Sequence, residues 1–300
     1  MNNKLMTSKT GGYAFATFIC IYLFVTFFGQ ALCLAFFPDG GKSVIAISSC
    51  FSALSLLIVC GLIFKRAKSD ISIFSVKKFN PKYILSAAAL AFGMLFGLGF
   101  INDAFSKFIE MIGGTVADTV IPLDSVGDVC LFVFLLAFLP AVFEELFFRG
   151  VMVNALKKTG VLFTVLAVAC CFSLYHCSVA QLIYQLIYGT GLTLLVLCSG
   201  SVLPCVFAHF LNNATILILT YLEVEINFYN PLCIVLSLLP LIAFFTLRIL
   251  EVKRIERLRK NEDKLIASEI SKQKLEFWFP YAIFGCLICA SILISALFVG

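Results

Sequence analysis

Charge is what this sequence has least of. Of its 300 residues, 13% are charged and 61% hydrophobic, and the mean hydropathy is +1.05. Soluble domains carry about 25% charged and about 45–50% apolar residues, so a soluble globule is excluded. Sustained polar/apolar alternation is also missing, which excludes a transmembrane β-barrel. No internal repeat points to an inverted-repeat transporter. No cleavable signal peptide is expected, because the run 13–37 is long for such a segment and lacks a small-residue cleavage site. Histidine is scarcer still, with two in the whole chain. Cysteine is plentiful at thirteen. Most of these residues lie inside apolar runs, where cysteine acts as a small hydrophobe. That argues against a disulfide framework, and against a redox or metal role for the CxxC formed by Cys286 and Cys289.

What is present is a series of apolar runs of about 20 residues, the length that spans a bilayer as helix. The chain reads as an all-α, polytopic transmembrane bundle of eight to nine spans, placed at 13–36, 43–64, 83–101, 129–148, 161–177, 182–199, 202–222, 231–247 and 277–299. Alternate connections are basic. The stretch 65–82 holds Lys65, Arg66, Lys68, Lys77, Lys78 and Lys82 against Asp70, and 248–276 holds nine basic and six acidic residues. The intervening connections are acidic, with Asp103, Glu110, Asp118, Asp124 and Asp128 against Lys107 in 102–128. The positive-inside rule then sets the N-terminus in the cytoplasm and the C-terminus outside. The +5 net charge serves this topology, and nucleic acid is not an expected partner. A short amphipathic helix is expected at 105–112, and a charged, helix-rich cytoplasmic connector at 248–276.

One stretch breaks the apolar pattern. Glu144, Glu145 and Arg149 fall within six residues at the end of the run 129–142. An ionisable group at mid-helix costs roughly 2.5–3.5 kcal/mol on insertion scales unless paired or wet, so such groups mark function by default. Glu145 and Arg149 are four apart with the acid first, the better order for an intrahelical ion pair. Glu144 lies about 100° round the helix and is left to face elsewhere: one paired acid and one free acid. His176 and His209 each have a helical partner four residues away, Phe172 and Asn213. If the helix bearing Glu144 turns at Thr159-Gly160, Glu144 and His176 stand level across an antiparallel hairpin. His209 and Asn213 follow the turn at Ser199-Gly200-Ser201 and face the same leaflet, a little lower. Pro140 and Pro204 are placed to free backbone groups.

Together Glu-Glu-x-x-x-Arg (Glu144, Glu145, Arg149), Phe-x-x-x-His (Phe172, His176) and His-x-x-x-Asn (His209, Asn213) resemble the three motifs of the CPBP intramembrane proteases. That family is also called Abi, or CAAX prenyl protease 2-like. The resemblance covers about 125–225, flanked by N-terminal helices in 1–124 and C-terminal helices in 226–300. It implies an endopeptidase acting within or near the membrane on a membrane-associated peptide or lipidated protein. It further implies that Glu144 activates water, His176 holds and polarises that water, and His209 with Asn213 stabilises the oxyanion. Glu145 and Arg149 would be structural support. The expected cofactor is none. The family's competing scheme makes Glu144, His176 and His209 ligands of a catalytic zinc with one open position. Cys177 and Cys205 adjoin the histidines as softer donors, though both are more simply packing residues. Two other classes stand beside the protease: a non-proteolytic immunity or scaffold protein that binds through the same motifs, and a transporter using Glu144 as a proton site. Rhomboid-type serine and aspartyl intramembrane proteolysis lack support, for want of a Gly-x-Ser-x-Gly-like nucleophile and of aspartates inside the spans.

Overall fold

The computed structural model describes residues 7–37, 41–68, 70–114, 116, 121–224, 229–265 and 279–298. These form α1 (Ser8–Phe36), α2 (Lys42–Arg66), a 3-10 turn at Ile71–Phe74, α3 (Lys82–Met111), α4 (Val126–Leu156), α5 (Val161–Tyr175), α6 (Leu182–Ser199), α7 (Leu203–Tyr221), α8 (Pro231–Leu265) and α9 (Phe279–Phe298). Seven of the described helices are long and apolar enough to cross a membrane, and Val161–Tyr175 and Pro280–Ser295 are apolar but shorter. The protein is an integral, multi-pass, all-helical membrane protein.

Two of the helices start on a side-chain acceptor. Thr7 caps α1 by accepting from the Thr10 amide, and Ser125 caps α4 by accepting from the Asp128 amide. Asp128 also accepts from Lys42 Nζ at 2.6 Å, and Asp124 lies 2.8 Å from the same ammonium, so the first turns of α2 and α4 are tied together. One expectation is corrected, and one, the helix-rich connector, is met as far as the structure describes it. The stretch 105–112 is not a separate amphipathic helix: α3 runs unbroken to Met111, because no helix breaker falls between 101 and 105. The connector 248–276 is continuous with the preceding span as far as Leu265, and its remainder lies outside the described residues.

The bundle packs around the middle of α4. Helix α1 packs on α2 and α9, α3 on α7 and α8, and α5 on α6, leaving α4 in contact with α1, α2, α5 and α7. Its core-facing rings, Phe147 and Phe148, are fully buried with Phe18 of α1, Phe172 of α5 and Tyr188 of α6. Large apolar side chains on the outer faces (Phe24, Phe27, Leu85, Leu236) are exposed, as expected of helices whose solvent is lipid. The polar exceptions cluster inside: Glu144, Glu145, Arg149, His209 and Asn212 are all buried.

Candidate active site

Helix α4 is not a regular α-helix where it carries the acids. Wider π-helical stretches at Val133–Phe138 and Leu146–Met152 flank the α-helical turn that ends at Glu145. Such irregularities inside helices occur frequently at functional sites. The first has an identifiable contributor. Pro140 has no N–H to donate to the carbonyl four residues back, Leu136. That carbonyl accepts instead from Asn213 Nδ2 of α7 at 3.3 Å. Asn213 Oδ1 in turn accepts from Asn212 Nδ2 at 3.2 Å, and Asn212 Oδ1 accepts from the Tyr184 hydroxyl at 3.1 Å. A chain of amides therefore ties α6 and α7 to the freed backbone of α4.

The two acids part company one residue later. Glu145 Oε1 accepts from Arg149 Nη1 at 2.8 Å and pairs with His209 Nδ1 at 2.9 Å. Glu145 and Arg149 are both 0% exposed. Arg149 also donates to the Gly189 carbonyl at 3.3 Å and lays its guanidinium over the Phe172 ring at 4.2 Å. Glu144, 6% exposed, accepts from the Tyr175 hydroxyl at 3.4 Å through Oε1. Its Oε2 has no hydrogen-bond partner among the described residues.

Phe172 gathers the three motifs. Its ring centroid lies 4.7 Å from His176, 6.0 Å from His209 and 4.2 Å from the Arg149 guanidinium carbon. The aromatic four residues before the histidine is thus the wall against which both imidazoles and the brace cation are set. His176 Nδ1 sits 2.7 Å from the Phe172 carbonyl. A carbonyl only accepts, so Nδ1 carries the proton and Nε2 is left for other partners. The bond of His209 Nδ1 to a carboxylate likewise leaves its Nε2. His176 ends α5, and Cys177 follows it at φ 47°, a left-handed position usually taken by glycine. The chain leaves the helix sharply there, holding His176 at the helix end.

Backbone approach beneath the site is equally close. A Cβ on Gly150 would stand 2.9 Å from the Phe74 Cα, so only glycine lets the Ile71–Phe74 turn dock on α4. Asn154 Nδ2 donates to the Ile73 carbonyl at 2.8 Å, and Ser201 Oγ donates to the Lys77 carbonyl at 2.7 Å. The segment between α2 and α3 is thereby fastened to both α4 and the turn before α7.

The sequence reading did not single out Tyr175, Tyr188, the Gly189 carbonyl or the Leu136 carbonyl. A signal existed for two of them: Tyr175 adjoins His176, and Pro140 implies an orphaned carbonyl at Leu136. As to metal, the described residues contain no group of three His, Cys, Asp or Glu side chains arranged to hold an ion. As placed, Glu144, His176 and His209 do not form such a group, although the Nε2 atoms of both histidines are open while their Nδ1 atoms are engaged.

A model of the family described as Type II CAAX prenyl endopeptidase Rce1-like matches residues 126–215. The site lies in an Rce1-like segment. That segment opens on α4 and closes two residues past Asn213, so Glu144, Glu145, Arg149, His176, His209 and Asn213 all fall inside it. The match supports an intramembrane protease of the CAAX type, acting on membrane-embedded protein or peptide. Helices α1–α3, α8 and α9 lie outside the Rce1-like segment. No curated protein and no solved structure matches the chain.

Proposed function

We propose that the protein is an intramembrane endopeptidase that hydrolyses peptide bonds of membrane-associated proteins or peptides by glutamate-activated water, without a metal. CAAX-type substrates and bacteriocin or signal-peptide precursors are the substrate classes in view. Glu144 Oε2 takes a proton from water, the resulting hydroxide adds to the scissile carbonyl, and Glu144 returns the proton to the leaving amine. Nε2 of His176 orients the water. Nε2 of His209 and the second Nδ2 hydrogen of Asn213 face the developing oxyanion, where one preorganised donor contributes about 3–4 kcal/mol. For His209 to donate there, Nε2 must carry a proton in addition to the one that Nδ1 shares with Glu145.

The single observation that carries the reading is the division of labour between adjacent acids. Glu145 is ion-paired with Arg149 and bonded to His209, while Glu144, buried in the same turn, has no cation partner among the described residues and one long bond from Tyr175. A binding or scaffold protein has no use for a desolvated carboxylate left without a cation. The test is comparison of membrane-peptide fragments produced by the wild type and by Glu144→Ala. Fragments that require Glu144 are expected, and identical fragment sets would overturn the reading. Exhaustive chelation is expected to leave the cleavage rate unchanged; loss of activity restored by added zinc would instead favour the metal scheme.

A further inference from the structure

Hydrolysis inside a membrane needs a supply of water, and the polar residues of α1 and α2 have no role in the site as described so far. Tyr22, Thr26 and Gln30 are four apart on α1 and so share one helix face; Ser48 and Ser52 are four apart on α2 and share another. Away from their ends, both helices are otherwise apolar except at Thr17, Ser49 and Ser55. These two rows line one cavity of about 270 Å³, closed by Leu23, Phe51, Cys177 and Ile292. Its volume accommodates several waters, each of which needs two to four polar partners, and the paired rows supply them.

The cavity reaches the site at two points. Cys177 in its wall directly follows His176. Ser52, also in the wall, lies with its hydroxyl 3.3 Å from the Tyr175 hydroxyl, which donates to Glu144 at 3.4 Å. The Tyr175 ring is held by Phe18, Tyr22 and Phe148 at centroid distances of 5.0, 5.2 and 5.8 Å. A ring so enclosed cannot swing its hydroxyl away from Glu144 without moving three neighbours.

We propose that the polar cavity between α1 and α2 is the water route to Glu144, and that Tyr175, bridging Ser52 and Glu144, is the positioning residue at its inner end. The ligand is water, and the seam keeps the carboxylate in exchange with solvent while lipid surrounds the bundle. The proposal deepens the protease reading and rests on it for its purpose, though not for its test.

The test is infrared spectroscopy of the full chain in phosphatidylcholine vesicles during transfer from H₂O to D₂O. The Glu144 carboxyl signal is identified by its loss in Glu144→Gln. In the wild type the signal responds promptly. Filling the seam with Ser48→Leu and Ser52→Leu slows the response by an order of magnitude, and Tyr175→Phe shifts the signal itself. An unchanged rate in the filled variant overturns the route, and an unshifted signal in Tyr175→Phe overturns the positioning role. Should the double variant fail to insert, Thr26→Leu narrows the same seam from α1 and is read by the same criterion. The exchange does not require turnover. A protein that cleaves nothing yet exchanges as expected refutes only the protease reading, and one that cleaves but ignores the filled seam refutes only the route.

Discussion

One oxygen of Glu145 has Arg149 at 2.8 Å and His209 at 2.9 Å; one oxygen of its chain neighbour Glu144 has only Tyr175 at 3.4 Å, and the second oxygen of each has no partner among the described residues. Both are buried in the same turn of α4. The difference is angular. One residue of helix rotation points Glu145 at Arg149 one turn along α4 and at His209 of α7, and points Glu144 at Tyr175 of α5. Identical chemistry, held a few ångströms apart, becomes a brace on one side and a reactive group on the other.

The sharpest way to break this comparison is to remove each acid in turn. Glu144→Ala is expected to lower the cleavage rate by about 10²–10⁴-fold, the usual contribution of a general base, while leaving the folded yield intact. Processed peptide measured per milligram of folded protein checks this. Glu145→Gln is expected to act on the fold instead. Removing one partner of a fully buried pair costs about 3–5 kcal/mol because the other charge is left uncompensated. The thermal midpoint in detergent should fall well below that of Glu144→Gln; equal midpoints would erase the distinction between brace and base.

Smaller effects sharpen the picture around α4. Gly150→Ala forces a Cβ against the Phe74 backbone and is expected to destabilise by about 1–3 kcal/mol, the usual range for overpacking, read as a lowered unfolding midpoint. Asn213→Ala strands the Leu136 carbonyl and should cost about 1–3 kcal/mol of stability in addition to any activity. Pro140→Ala in the same chain restores the missing backbone donor. Stability should then recover while activity does not; recovery of both would mean that Asn213 is only a backbone cap. The mildest change is Cys177→Gly, which relieves a left-handed residue at φ 47°. It is expected to raise stability by up to about 1 kcal/mol, the left-handed strain less glycine's greater chain entropy, read as a higher unfolding midpoint.

Some of this was legible without coordinates. The apolar runs carry the membrane class, and the segment read at 182–199 is helical over those residues. The Glu145–Arg149 pair followed from a spacing of four, since such contacts depend on helix geometry alone. The antiparallel hairpin of α4 and α5 followed from Thr159-Gly160, where Gly160 takes φ 122°. The depth of His209 did not follow. Counting from its turn set it slightly low, because counting ignores helix tilt, and the structure brings it level with Glu145. The π-helical widening of α4 was also illegible, since it results from Pro140 and from a partner on another helix acting together. So was the docking of Ile71–Phe74, a turn in a stretch readable only as charged loop.

The sequence alone therefore determined the solvent of this protein, the number of its apolar segments and the ion pair that Glu145 and Arg149 make within a single helix. Those properties depend on composition and on near neighbours, whose separation helix geometry dictates. The tertiary structure decided that His209 binds Glu145, that Tyr175 holds Glu144 and that Asn213 completes the Leu136 carbonyl. These contacts join residues 64, 31 and 77 positions apart. Their distances depend on how each helix is rotated and tilted against its neighbours, and that is set by packing across the whole bundle.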